Sequence, residues 1–197
     1  MITKKLTNFV ELLVEQGIVQ KEDKELVIYG LLTGSKLVLN TITTVVIGIL
    51  FGLAVESIFF LCTFSWIRTY AGGYHCEKAL TCYFVSSLLV MGMLGIIRFT
   101  PIEYCVVGGV VMLLVSVPLL LRYAPIETAT KPFDEEEYRF YRKKLVRHLA
   151  IECGAIILLY IGNQPRFAYT ICCGIGLSMV LVLLQLVELR NQRTRSS

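Results

Sequence analysis

The chain has 197 residues, 55% of them hydrophobic and 17% charged, with a mean hydropathy of +0.68 and a formal net charge of +4. That balance excludes an ordinary soluble globular domain, in which about a quarter of residues are charged, and points to a single domain buried largely in lipid. Seven is an odd number of cysteines, and Cys62, Cys105, Cys153, Cys172 and Cys173 fall inside or beside apolar runs, so they read as small packing residues rather than a disulfide framework.

In chain order, Leu6, Phe9, Val10, Leu13, Val14 and then residues 17–19 recur at helical spacing among Lys4, Lys5, Glu11 and Glu15. This predicts an amphipathic helix lying on the membrane surface, within an interfacial segment over residues 1–36. Charges interrupt its apolar face and no small-residue cleavage site follows, so it does not read as a signal peptide. A membrane span needs about 20 mainly apolar residues. Six candidates follow: 37–55, 58–70, 80–97, 106–121, 145–161 and 167–189. The second is the weakest, because Arg68 enters it early and Gly72 and Gly73 end it. Residues 122–144 read as a basic loop and 191–197 as a short tail. The expected fold is therefore all-α, a polytopic membrane protein of about six transmembrane helices plus the N-terminal amphipathic helix.

Charge sorts by connection. Five Lys and Arg residues precede the first span, two lie in the connection around His75 (Arg68 and Lys78), seven run from Arg122 to Arg147 and three close the chain. Arg98 and Arg166 are the remaining two, in the third-to-fourth and fifth-to-sixth connections. Alternation of basic and nearly bare connections is what the positive-inside rule gives for six spans with both termini in the cytoplasm. It places the His75 connection and the 122–144 loop on the cytoplasmic side.

The connection between the second and third spans carries Arg68, Gly72, Gly73, His75, Cys76, Lys78 and Cys82, a polar, glycine-broken hinge with one of the two histidines. A thiol with a pKa of about 8.5 needs a base or a positive neighbour to become a thiolate, and His75, Arg68 and Lys78 supply both kinds. On residue types alone two readings stand. In one, Cys82 and His75 form a catalytic dyad; in the other, His75 caps a helix and Cys82 fills space. On an unbroken helix their Cα atoms would lie about 10.5 Å apart, with His75 leaning away from Cys82. A working dyad thus predicts a third span starting between Glu77 and Ala79, with His75 on a nonhelical segment folded back by Gly72 and Gly73. Cys82 would then occupy about the first turn, where the helix dipole favours thiolate. No CxxC, no HExxH and no second histidine near His75 accompany the hinge, so no metal or other cofactor is expected.

The pattern Arg68, Ala71, Gly72, Gly73, Tyr74, His75, followed by Cys82 and by Ser86 and Ser87, resembles the signature of the accessory gene regulator B (AgrB) family, membrane-embedded cysteine endopeptidases of Gram-positive quorum sensing. Tyr29, Gly30, Leu31 and Asn40 upstream, and Ala124, Pro125, Ile126, Glu127, Lys131 and Pro132 downstream, are similar to that family's entry to its first membrane segments and to the loop after its fourth. The resemblance implies a cell-membrane protein that removes the C-terminal tail of an AgrD-like propeptide and promotes closure of a thiolactone or lactone ring. It implies Cys82 as nucleophile and His75 as general base, with Cys76 the rival thiol, and it suggests a homodimer.

Arg68 and backbone N–H groups near Cys82 are candidate oxyanion donors, and Glu77, Ser86, Ser87 and Asn40 are candidate third members of a triad. Arg142, Lys143 and Lys144, with their basic neighbours, read either as a dock for an acidic peptide tail or as residues that fix topology and bind anionic lipid. Lys131, farther from the membrane edge, is the better candidate for a peptide contact. Glu135, Glu136 and Glu137 read as a solvated acidic run, and His148 as an interfacial residue. Nothing in the pattern points to nucleic acid. A transporter would need more polar residues within the spans than Asn40 to Thr44, Ser116 and Gln185; a noncatalytic scaffold would use the same topology and tolerate loss of Cys82.

Overall fold

The computed structural model describes residues 2–73, 79–126 and 133–196, and among them there are helices and no strand. The helices are α1 (Ile2–Glu15), α2 (Lys24–Leu50), α3 (Ala54–Ala71), α4 (Ala79–Phe99), α5 (Ile102–Tyr123), α6 (Glu135–Ile161) and α7 (Pro165–Ser196), with a single 3-10 turn at Lys21–Asp23. The protein is all-α, and four stretches are long and apolar enough to cross a membrane: Lys21–Leu50, Leu80–Phe99, Ile102–Tyr123 and Pro165–Gln192. The other two expected spans fall on α3 and the apolar half of α6, which are helical but are not among those four. Glu56 and Arg68 dilute α3, which at 18 residues is about 27 Å long, close to the thickness of the hydrocarbon layer.

Contacts divide the chain within α2 into units Met1–Thr43 and Thr44–Ser197. In the first unit, α1 stops at Glu15, short of the helical spacing expected through residue 19. Gly17 sits at φ +71, and the Gly17 and Ile18 amides return to the Val14 and Leu13 carbonyls at 3.0 Å each. This is the glycine-terminated C-cap that satisfies the last carbonyls of a helix. Lys24 pairs with Glu11 at 2.8 Å. α2 begins well before the expected span at residue 37.

The second unit is organised around α7. Residues 168–178 of α7 are all buried, the mark of a helix surrounded by others. Its small residues let the backbones approach: a Cβ on Gly174 would lie 2.7 Å from Thr63 of α3, and one on Gly176 2.7 Å from Met112 of α5. The buried hydroxyls of Thr170 and Ser178 donate to the carbonyls four residues back, at 2.9 Å each. Contact register gives direction. Thr63 meets Gly174 and Gly73 meets Leu181, so α3 runs parallel to α7; Gly108 meets Tyr169 and Met112 meets Gly176, so α5 does too. α4 and α6 return antiparallel. One end of the bundle therefore gathers the C-terminal ends of α3 and α5 and the N-terminal ends of α4 and α6.

The 122–144 stretch, expected to be a loop, is helical from Glu135. Asp134 caps α6 by accepting the Glu137 amide at 2.7 Å, and Glu135, Glu136 and Glu137 occupy the first turn, where negative charge complements the dipole. The acidic run is a helix start. From there Leu145, Leu149, Glu152 and Ile156 form the buried stripe of α6.

Candidate active site

The hinge leaves α3 at Gly72 (φ +76, ψ −157) and Gly73 (φ +142), conformations that side chains rarely adopt. Both are closely covered. A Cβ on Gly72 would lie 3.0 Å from the Ile126 carbonyl oxygen, and one on Gly73 3.3 Å from the Leu181 Cβ. The Gly72 amide donates to the Arg68 carbonyl at 3.1 Å, ending α3. Beside it the Ile126 amide donates to the Ala71 carbonyl at 3.1 Å. Ala124, Pro125 and Ile126, all buried, thus lie directly on the start of the hinge. The Arg142 guanidinium, from α6, donates to the Ala124 carbonyl.

An aromatic series joins the same elements. Phe133 packs on Tyr141 (ring centroids 5.1 Å apart), Tyr141 on Tyr70 (6.3 Å), and Tyr70 stacks on His148 at 4.9 Å with 13° between the planes. His148 also meets Trp66 at 5.4 Å. Ile126 on Ala71, and Phe133 through Tyr141 on Tyr70, thus both reach the last turn of α3. Two sequence segments some fifty residues apart converge on one turn of α3.

Cys82 is the fourth residue of α4, a free, half-buried thiol in its first turn. The described part of α4 begins at Ala79; the expected start between Glu77 and Ala79 falls partly outside the described residues. Only Val90, Leu94 and Ile97 of α4 are fully buried, all in its C-terminal half, and Cys82 and Ser86 continue that stripe at four-residue steps toward the hinge. The thiol lies in line with the packed side of the helix, with Ser86 one turn behind it. Ser87 spends its hydroxyl on the Tyr83 carbonyl at 2.9 Å. Arg68, half-buried, places its guanidinium 5.6 Å from the Phe64 ring centre. Lys143 is exposed, and the Lys144 ammonium lies 5.3 Å from the Phe140 ring. His75, Cys76, Glu77 and Lys131 lie outside the described residues, and Asn40 belongs to the first unit. Among the described residues no cluster of three His, Cys, Asp or Glu side chains could hold a metal ion.

Sequence reasoning passed over Glu152. It is 4% exposed inside the expected fifth span, and neither carboxylate oxygen has a hydrogen-bond partner. The signal was its register, seven residues from Leu145 and three from Leu149 on the apolar stripe. Arg142, expected to dock an acidic peptide tail or to fix topology and bind anionic lipid, donates to a main-chain carbonyl.

The sequence profile for accessory gene regulator B matches residues 4–186. The chain belongs to the AgrB family. A Clostridium perfringens (strain SM101 / Type A) protein named AgrB-like is 29% identical over 149 residues, covering 71% of this chain and 70% of its own. A second, named AgrB-like protein 2, from strain 13 of the same species, is 28% identical over the same shares. No solved structure matches the chain. AgrB membership gives the chain a role in accessory gene regulator peptide processing at a membrane. Of the three stretches through which the sequence resembles AgrB proteins, the described parts of two, residues 68–73 and 124–126, meet at Ala71.

Proposed function

We propose that the chain is a membrane-embedded cysteine endopeptidase that cleaves an AgrD-like propeptide, with Cys82 as nucleophile and His75 as general base. The observation that carries the reading is the placement of Cys82 in the first turn of α4, on its packed side, across a hinge whose start is held at Ala71. His75 follows Gly73 by two residues in the sequence and lies outside the described residues. Lys131, in the segment through which the sequence resembles AgrB proteins, is the proposed peptide contact.

The chemistry needs only these groups. His75 takes the Cys82 proton, and the thiolate adds to the scissile carbonyl. Collapse of the tetrahedral intermediate breaks the C–N bond, and the imidazolium returns the proton to the departing amine. The product is an acyl-enzyme thioester and a free C-terminal fragment. A nucleophile within the remaining peptide attacks the thioester, closes the ring and releases the Cys82 thiolate. Exchange of thioesters is nearly neutral in energy, so water must be kept from the intermediate, which a site at the membrane interface favours. Arg68 and backbone N–H groups of the first turn of α4 are the proposed oxyanion donors, and Ser86, one turn behind the thiol, is the proposed supporting hydroxyl. By the positive-inside rule this end of the bundle faces the cytoplasm, and the working unit is a homodimer.

The test is mass spectrometry of the propeptide encoded beside this gene, incubated with the protein in membranes. The wild type releases a C-terminal fragment, a substrate adduct maps to Cys82, and Cys82→Ala and His75→Ala abolish release while Cys76→Ala retains it. Cleavage surviving Cys82→Ala would leave Cys76 as the nucleophile; no cleavage by the wild type would leave a scaffold role.

A further inference from the structure

We propose that Arg142 is a positioning residue of the active site, holding the 124–126 segment against the hinge from α6, and not part of the substrate dock. The inference rests on the peptidase reading for its kinetic consequence, though not for its geometry.

The path is continuous. α5 ends at Tyr123, and the helix leaves its last carbonyls without intrahelical donors. Ala124, 1% exposed, turns its carbonyl toward α6, where the Arg142 guanidinium donates to it. A charge-assisted bond to a carbonyl out of water is among the stronger ones available to a loop. Two residues on, the Ile126 main chain does two things: its amide donates to the Ala71 carbonyl, and its own carbonyl lies over Gly72, where a Cβ would come within 3.0 Å. The conformation at Gly72, where the hinge begins, is thus braced by a segment that Arg142 holds in place.

Adjacent side chains do complementary work. Tyr141 packs on Tyr70, one residue before Ala71, while Arg142 reaches the far side of the same junction through Ala124. The first two turns of α6 therefore grip the end of α3 directly and through the loop. The role suits the side chain of Arg142. Its planar fork reaches a specific carbonyl, whereas exposed Lys143 has no such geometry to satisfy.

A docking cation and a positioning cation differ in what their loss changes. Removing a dock weakens substrate binding and raises KM; removing a brace leaves the thiol and the base out of register and lowers kcat. The experiment measures propeptide cleavage by the wild type, Arg142→Gln and Arg142→Lys in proteoliposomes, together with amide hydrogen exchange of the segment containing Ile126. Arg142→Gln is expected to lower kcat by about tenfold to a hundredfold with KM changed less than about threefold, the loss of one charge-assisted bond. Arg142→Lys, which keeps a donor, recovers part of that rate. Exchange at Ile126 quickens in Arg142→Gln while exchange along α7 stays at the wild-type rate, which also shows that the variant is folded. A raised KM at unchanged kcat, or unchanged exchange at Ile126, overturns the proposal. Absence of cleavage by the wild type overturns the peptidase reading instead, and the exchange result then decides the brace alone.

Discussion

Gly72 shows how a single residue ties the chain's course to its chemistry. Its φ of +76 with ψ −157 belongs to a region that only glycine enters cheaply, and the Ile126 carbonyl lies where a side chain would begin. Gly72→Ala is expected to cost about 1–3 kcal/mol in local strain, which a folded membrane protein can survive. Cleavage is expected to fall far more than the thermal midpoint in detergent, because the strain is relieved by moving the hinge; equal loss of both would mean that Gly72 serves packing alone. The glycine pair was readable as a break because polar residues follow it, unlike Gly108 and Gly109, which lie inside α5 among apolar residues. Arg142 was not. Its partner is a carbonyl 18 residues away, and within a basic run nothing in the sequence separates a residue bonded inward from one facing solvent. Glu152 escaped for the opposite reason: one carboxylate barely lowers the hydropathy of its span, and only the register of Leu145, Leu149 and Ile156 marks it as inward.

At the level of elements, α7 decides which helices can meet. Gly174 and Gly176 sit two residues apart and receive α3 and α5 respectively, so enlarging one should disturb one neighbour. Gly174→Val would drive its side chain into Thr63 and is expected to cost about 1–3 kcal/mol by overpacking, read as a lower unfolding midpoint on titration with SDS. Gly154, with open space around it, should accept alanine with little change; a similar loss there would argue that the effect comes from glycine content rather than the α3 contact. α4 behaves differently. Among the described residues its buried side chains are Val90, Leu94 and Ile97, with Leu89 and Met93 packed against the same cluster, and Cys82 and Ser86 continue the stripe toward the hinge. A helix under way by Ala79 was legible from the hinge, and the start of α6 was not, because the Glu135 to Arg147 run looks like a solvated loop until Asp134 is seen to cap it.

For the second unit as a whole, charge and direction agree. Arg68, Arg122, Arg139, Arg142, Lys143, Lys144 and Arg147 lie toward the end where α3 and α5 finish and α6 begins, whereas Arg98 and Arg166 mark the other end. The proposed orientation, with the hinge end in the cytoplasm, follows from positive-inside bias. An epitope tag inserted after Asn163 is expected to bind antibody on intact protoplasts, and a C-terminal tag only after permeabilisation; the reverse pattern would place Cys82 outside. That expectation uses an odd number of crossings between the two tags, which α7 supplies.

Class, membrane residence, helix number and the location of the hinge were determined by the sequence itself, because apolar length, glycine pairs and charge bias are local quantities that a chain carries into any fold. The tertiary structure decided what the hinge rests on. The Ile126 amide, the Ala124 carbonyl and the guanidinium that holds it are uniform groups or members of a uniform run, and a hydrogen bond between segments more than fifty residues apart leaves no local trace. It exists only because α3, α5 and α6 end or begin together on α7.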